Sequence, residues 1–321
     1  MKKNEIILVW KKIGIILEKL PEEGWSKSHL QFPAVLVNKK LIKVFVTTRP
    51  NPESNGKNVT YIRSFDLKLN NNLDTENFSK QPILKLGQNG AFDQFGTMPG
   101  DFVKYENSIF MYYTGWNRLD KVPYNFSVGL AISKDNGDSF KKYSEGPIIG
   151  QNIHSPYTTG SGAVIYNNNI FHMFCISGVK WIEIEGKLEH TYTIKHAVSE
   201  NGVDWKFIKG NVINQINEFE AIAAPTVIKI KDIYHMWFSY RGSLDFRGGK
   251  DSYKIGYAYS TNLYDWIRDD EKSGISLSQE GWDSEMICYP YVFEYEEQFY
   301  MLYNGNNFGK NSIGLAKLNT S

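Results

Sequence analysis

Five stretches of this chain repeat one plan, and that plan leaves few folds open. They read FPAVLVNKKLIKVFVTTR from Phe32, MPGDFVKYENSIFMYYTGW from Met98, SGAVIYNNNIFHMFCISG from Ser161, APTVIKIKDIYHMWFSYRG from Ala224 and YPYVFEYEEQFYMLYNG from Tyr289. Each is an apolar run, a short turn of Asn, Asp, Glu or Lys, and a second apolar run, the pattern of a hairpin. A third strand-like run follows in every unit: YIRSF from Tyr61, VGLAIS from Val128, IKHAVS from Ile194, IGYAYS from Ile255 and IGLAKL from Ile313. In three units a turn and an aromatic come next (SKDNGDSF, SENGVDW, STNLYDW), so Phe140, Trp205 and Trp266 would open a fourth, outer strand. Val44, Met111, Met173, Met236 and Met301 hold equivalent places, spaced by 67, 62, 63 and 65 residues.

Four strands per repeat, five repeats and no helical periodicity predict an all-β fold, a five-bladed β-propeller with four-stranded antiparallel blades. A sandwich would not carry this long period. The blades are expected near 26–80, 92–145, 152–210, 218–270 and 282–318, within a single domain over 1–321. No fourth strand follows Leu318 in the last unit. The N-terminal text LVWKKIGIILE has the missing pattern, so residues 6–18 are expected to complete blade five and close the ring. Closure removes two exposed sheet edges.

Bulk properties narrow the function classes. The 36 basic and 35 acidic side chains give a net charge of +1, unlike the basic stripe of a nucleic-acid binder. Cys175 and Cys288 lie in apolar strand text and read as free, buried thiols. Lys11 and Lys12 interrupt the first apolar run, which argues against a signal peptide. No run reaches the ~18 apolar residues of a membrane span, and the expectation is a cytoplasmic protein of undetermined oligomeric state. The chain has no GxSxG, GxGxxG, Walker loop or CxxC. No metal site and no cofactor are expected, although a propeller channel would leave room for a single hydrated cation.

In a propeller the innermost strands line a central channel, and the residues leading into them surround one mouth. Asp283 and Glu285 precede the innermost strand of the last unit. Repeat alignment puts Asp93 at the place of Asp283 and Glu220 at that of Glu285. These carboxylates and Asp101 are the candidate catalytic groups, and at least three of the five are expected in one pocket. Asp93 and Asp283 have an equally simple reading as acceptors for turn N–H groups. Asp101 stands within strand text, where Asp is disfavoured. A buried, unpaired carboxylate is costly there, so it needs a partner or a role. His29, His154, Tyr157 and Tyr289 enter the same rim, with Arg49, Trp116 and Arg241 at the ends of second strands; these seven are the candidate ligand contacts. His172, His190 and His235 read as structural or surface residues. The apolar text after Glu285, MICYPYVF, predicts a partly desolvated carboxyl with a raised pKa, suited to a general acid.

The repeats resemble the five-bladed propellers of glycoside hydrolase families 43, 32, 68, 117 and 130, from Phe32 to Leu318. SKDNGDSFKKY also resembles the Asp-box turn of sialidases, a structural motif. MPGDFV, YTGWNR, VGLAISKDNGDSF, MWFSYRG and GWDSEMICYPYVF are similar to uncharacterised bacterial family-32-like proteins associated with surface-polysaccharide genes. The resemblance implies a carbohydrate ligand and carboxylate acid/base chemistry. Of the three carboxylates that family 43 uses, only the pKa-tuning aspartate has a counterpart, Asp101. Phe32 stands before Pro33 where the base would be, and Gly160 falls near the place of the acid. The expected function is a glycosidase or related glycosyl-transferring enzyme with Glu285 as acid and Asp101 as base. The alternative is a non-catalytic carbohydrate-binding propeller that assists surface-polysaccharide assembly.

Overall fold

The computed structural model describes residues 8–54, 56–310 and 312–320. Strand β1 (Leu8–Leu17) opens the chain. Blade one holds β2 (Ser28–Asn38), β3 (Leu41–Arg49), β4 (Tyr61–Leu67) and β5 (Thr75–Glu76). Blade two holds β6 (Gly96–Tyr105), β7 (Ser108–Asn117), β8 (Asn125–Ser133) and β9 (Lys141–Lys142). Blade three holds β10 (Thr159–Asn167), β11 (Ile170–Ile184), β12 (Lys187–Ser199) and β13 (Lys206–Phe207). Blade four holds β14 (Ala221–Ile230), β15 (Ile233–Arg241), β16 (Lys254–Ser260) and β17 (Ile267–Arg268). Blade five holds β18 (Cys288–Tyr295), β19 (Gln298–Asn304) and β20 (Ile313–Thr320). The sheet order β1-β20-β19-β18 makes β1 its outer strand, as the sequence predicts. Residues 6 and 7 of that expected strand lie outside the described residues.

The repeat register follows from packing. Val44, Met111, Met173, Met236 and Met301 are fully buried, at 0% exposure. Their first-strand partners are Val35, Phe102, Val164, Val227 and Val292. On the third strand they face Phe65, Ala131, Ala197, Ala258 and Ala316. A methionine beside an alanine fills the middle of each of the last four blades. Cys175 and Cys288 are buried free thiols. The ring closes through apolar burial as well as pairing. Leu8, Trp10 and Ile16 of β1 are buried, and Trp10 meets Trp237 of blade four edge-on at 5.2 Å.

The Ser-x-Asp/Asn turns before the outer strands of blades two, three and four share one mechanism. Ser133, Ser199 and Ser260 accept from the backbone N–H of Gly137, Gly202 and Leu263 at 2.9, 2.9 and 3.0 Å. Asp135, Asn201 and Asn262 accept from the N–H of Ser139, Asp204 and Asp265, each at 2.9 Å. Such side-chain bonds fix a turn without help from a ladder.

One irregularity shapes the axis. In every innermost strand two residues oppose one on the second strand: Phe32-Pro33, Pro99-Gly100, Ser161-Gly162, Ala224-Pro225 and Tyr289-Pro290. Such bulges bend a strand and re-aim its side chains. These residues line the waist of the channel, which leaves a void of about 30 Å³. Phe32, Ala224 and Tyr289 have φ of 50°, 49° and 54°. A left-handed residue before proline is a strained conformation that the surrounding ring must impose.

Candidate functional site

The bulges are tied blade to blade by a recurring contact. Three residues beyond each reference position on the second strand stand Thr47, Thr114, Ile176, Ser239 and Asn304. Thr114 Oγ1 accepts from Ser161 N (2.8 Å), Ser239 Oγ from Tyr289 N (2.7 Å) and Asn304 Oδ1 from Phe32 N (3.2 Å), each in the next blade. Between blades one and two the donor position holds Pro99, which has no N–H, and Thr47 Oγ1 is left unpaired.

Asp101 is part of the same scaffold. At its repeat position blade four has Thr226, whose hydroxyl accepts from Val292 N at 3.0 Å. Asp101 Oδ2 accepts from the equivalent Val164 N at 2.8 Å, while Oδ1 accepts from Phe102 N (2.8 Å) and from the Tyr291 hydroxyl (2.6 Å). Burial raises the Asp101 pKa to about 6, against the pull of those three bonds. The carboxylate the sequence nominated as base is thus a strut across the narrow waist.

The other four nominated carboxylates do not gather in a pocket either, which corrects the sequence expectation. Asp93 and Asp283 are equivalent, as aligned, but both turn outward from the axis. Asp93 accepts from Tyr113 at 2.9 Å and pairs with Lys142 of β9 at 2.5 Å. Asp283 accepts from Tyr303 at 3.0 Å and pairs with Lys12 of β1 at 2.6 Å. In each blade the turn carboxylate clips the outermost strand to the sheet. Glu220 does the same in blade four, pairing with Arg268 of β17 at 2.7 Å. Ser26 and Ser155 fill the corresponding places in blades one and three, bonding Thr48 and Ser177 at 2.9 and 2.7 Å. Glu285 is exposed, so the desolvation inferred from its apolar neighbours is absent. The strand pattern buries Met286, Ile287 and Cys288, whereas the turn before them leaves Glu285 in solvent, with its N–H bonded to Asn306 Oδ1 at 2.9 Å.

What the fold does assemble at the mouth is aromatic and basic. Arg49 and Arg241 occupy the same repeat position, at the ends of β3 and β15. Arg241 is 4% exposed, and all its hydrogen bonds go to neutral acceptors: Gly242 O (2.7 Å), Ser243 Oγ (3.1 Å), His190 O (3.1 Å) and the Tyr253 hydroxyl (3.3 Å). Its guanidinium lies 3.7 Å from the centroid of Phe246. Arg49 donates to Gln31 Oε1 at 2.9 Å, its Nε is buried without a partner, and burial lowers its pKa. Tyr289 lies between them, within electrostatic range of both arginines, and stacks on Phe32 at 3.8 Å. Tyr253 stands 5.6 Å from Tyr289. Tyr192, near Arg241, shares a hydrogen bond with Tyr124, and burial raises its pKa to about 12. Every blade thus contributes an aromatic ring: Phe32, Tyr124, Tyr192, Tyr253 and Tyr289.

His190 is fully buried under this cluster, stacked on Trp181 at 4.0 Å, with both ring nitrogens unpartnered; burial and Arg241 hold its pKa near 3. Glu189 is buried and held by Arg247 through two bonds of 2.6 and 3.1 Å.

Of the seven nominated ligand contacts, Arg49, Arg241 and Tyr289 converge. His29 adjoins Arg49, with its pKa pushed to about 3 chiefly by burial, and Tyr157 touches the edge through His190 at 6.5 Å. The remaining two lie elsewhere. His154 is exposed beside Phe207 of the outer strand β13, and the Trp116 indole donates to Thr60 of blade one at 2.8 Å. Sequence reasoning missed Tyr124, Glu189, His190, Tyr192, Phe246 and Tyr253. Its reading of His190 as structural or surface passed over its place at the mouth. The usable signal was length. The hairpin of β11 and β12 runs to 15 and 13 residues, and VKWIEIEGKLEHTYT alternates through its turn. Among the described residues no group of three His, Cys, Asp or Glu side chains is placed to hold a metal ion.

Fold and repeat geometry define a five-bladed propeller, and solved structures of glycoside hydrolases share that fold. A structure described as a glycoside hydrolase superposes with TM-score 0.73 at 16% identity, over 96% of this chain and 92% of that one. A thermostable family-43 glycoside hydrolase superposes with TM-score 0.63 at 16% identity, over 94% and 91%. The chain belongs to the family of the uncharacterized protein Rv1502 of Mycobacterium tuberculosis strain H37Rv, with which it shares 30% identity over 313 residues, 97% of this chain and 99% of that one. It is also 26% identical over 153 residues to a 1,2-beta-oligomannan phosphorylase of Thermoanaerobacter, covering 46% of this chain and 48% of the phosphorylase. No family model matches the chain.

Proposed function

We propose that this chain is a carbohydrate-active protein whose saccharide docks at the channel mouth, against Tyr289, Tyr253, Tyr192 and the two arginines. One observation carries the reading: five of the thirteen buried side-chain polar atoms without a partner among the described residues belong to residues beside these aromatic rings. Arg49 Nε, both nitrogens of His190, Asn125 Oδ1 and Ser252 Oγ are all buried and unpaired. Buried polar groups are normally satisfied, so such a cluster beside aromatic faces suits a hydroxyl-rich ligand. The glycoside-hydrolase fold and the partial likeness to an oligomannan phosphorylase support the same class.

Hydrolysis through two opposed carboxylates has little support in the mouth itself. Glu189, tied to Arg247, and Asp251, which accepts from Leu244 N and packs against Gly242, are carboxylates that adjoin it. Saccharide binding without hydrolysis, in the service of surface-polysaccharide assembly, is the second reading, and the engaged state of Asp93, Asp101, Glu220 and Asp283 favours it. A panel of nitrophenyl glycosides, run beside binding titrations with bacterial oligosaccharides on wild type and Tyr289→Ala, tests both. Saccharide binding lost in Tyr289→Ala supports the site. Binding or turnover unchanged in that variant, once its folding is checked, removes the mouth from consideration.

A further inference from the structure

Resting on that reading of the mouth, we propose that its ligand is acidic, and that Arg241 and Arg49 receive the carboxylate or phosphate group of an anionic saccharide. The argument begins with charge. A buried cation is normally paired, because desolvating it alone is costly. Three other arginines have carboxylate partners: Arg268 has Glu220 and Asp270, and the more exposed Arg247 has Glu189. Arg118 has Glu53. Arg241 breaks the rule at 4% exposure, with carbonyls and hydroxyls for partners and no carboxylate within ion-pair distance. Arg49 breaks it too, with one amide oxygen for partner and an unpaired Nε.

Arg63 of β4 is a third exception at 1% exposure, with Pro21 O and Ser26 Oγ as acceptors and the Trp25 and Phe78 rings 5.3 and 5.8 Å from its guanidinium. Arg49 and Arg241 differ from it in sharing a repeat position in blades one and four and in lying within electrostatic range of the Tyr289 hydroxyl. That hydroxyl has no hydrogen-bond partner among the described residues. Lys310 adds to the field, since it and Arg49 both lie within electrostatic range of His29. An arginine fork presents paired donors that match the planar oxygens of a carboxylate or the oxygens of a phosphate. Tyrosine faces and hydroxyls would hold the sugar to which that group belongs.

The test is calorimetric titration at low salt with matched pairs: oligogalacturonate against a neutral galacto-oligosaccharide, mannose 6-phosphate against mannose, and inorganic phosphate alone. At least one acidic saccharide is expected to bind about 10- to 100-fold tighter than its neutral counterpart, the range of charge-assisted hydrogen bonds. The two acidic arms separate a carboxylate from a phosphate ligand. Arg49→Gln should remove ~10-fold or more of the preference, weakening the acidic member of each pair more than the neutral one. Arg241→Gln, with its unfolding midpoint measured alongside, is the second variant. Equal affinity for acidic and neutral saccharides overturns the proposal and leaves the mouth a neutral-glycan site. Stabilisation by none of the acidic probes, or a preference that survives in both folded variants, also overturns it. Inorganic phosphate binding as tightly as the sugar phosphate, with no gain from any saccharide, keeps the arginine site and removes the carbohydrate reading.

Discussion

Replacing His190 with phenylalanine should make the protein less sensitive to acid, by an amount the structure fixes. His190 is buried, stacked on Trp181, has no hydrogen-bond partner for either ring nitrogen, and has a folded pKa near 3. An unfolded histidine titrates near 6.5. Below about pH 6.5 the unfolded state therefore takes up a proton that the native state refuses until about pH 3. The neutral ring contributes its full stability above pH 6.5, and that contribution is lost as pH falls toward 3. At about 1.36 kcal/mol per pH unit, the loss is about 2 kcal/mol at pH 5. His235, with a folded pKa of about 4, and the bonded pair His172–His196, taken as one site, act in the same direction. These three sites cost about 6 kcal/mol at pH 5, with the partly exposed His29 adding in the same direction, against about 1.4 kcal/mol returned by Asp101, whose raised pKa works in the opposite sense. That is comparable with the whole stability of a typical domain, ~5–15 kcal/mol. Urea unfolding at pH 7 and pH 5 reads it directly. Wild type should lose several kcal/mol between the two. His190→Phe keeps the aromatic stack and should lose about 2 kcal/mol less than wild type. Parallel stability–pH curves for the two proteins would show that His190 does not titrate as argued.

Asp101→Ala should lower stability by about 2–5 kcal/mol, because the backbone N–H groups of Val164 and Phe102 lose their acceptor at the waist; a change below about 0.5 kcal/mol in urea unfolding would return Asp101 to the list of functional groups. Glu220→Ala should cost about 1–3 kcal/mol, below the ~3–5 of a fully broken buried pair, because Arg268 keeps Asp270; ligand affinity at the mouth should not change. Deleting residues 1–20 strips Leu8, Trp10, Ile16 and Leu20 from the core, about 1.5–3 kcal/mol each; thermal melting should show loss of cooperative folding, and a normal melt would mean that β20 tolerates an open edge.

The architecture was legible because a propeller writes its period into the chain. The alternation of buried and exposed positions forces each strand, and the spacing of Val44, Met111, Met173, Met236 and Met301 sets the blade count. The N-terminal strand could be placed for the same reason: one outer strand was missing, and LVWKKIGIILE had the pattern to fill it. The bulges were less legible. FP, AP and YP before apolar text look like ordinary strand openings, and nothing local says that Phe32, Ala224 and Tyr289 adopt positive φ. That conformation is imposed by five strands meeting at one axis.

The site was misjudged for a reason built into pseudo-symmetric rings. Repeat alignment finds residues that recur, and residues recur when every blade needs them. Asp93 and Asp283 recur because an outer strand has to be clipped to its sheet, and Lys142 and Lys12 complete those clips; Glu220 makes a clip of the same kind with Arg268, while its aligned counterpart Glu285 stays in solvent. A ligand site on the axis needs the opposite property, since a saccharide lacks five-fold symmetry. It is built where equivalent positions diverge. The position that holds Arg49 in blade one is Trp116 in blade two, Gly178 in blade three, Arg241 in blade four and Asn306 in blade five. Each choice has a distinct consequence. Asn306 accepts from the N–H groups of Glu285 and Met286, and Trp116 anchors to Thr60. Gly178 leaves the space that His190 fills, since a Cβ there would stand 2.5 Å from Nε2 of that ring. The two arginines are the members of this series whose charge no carboxylate of the protein matches.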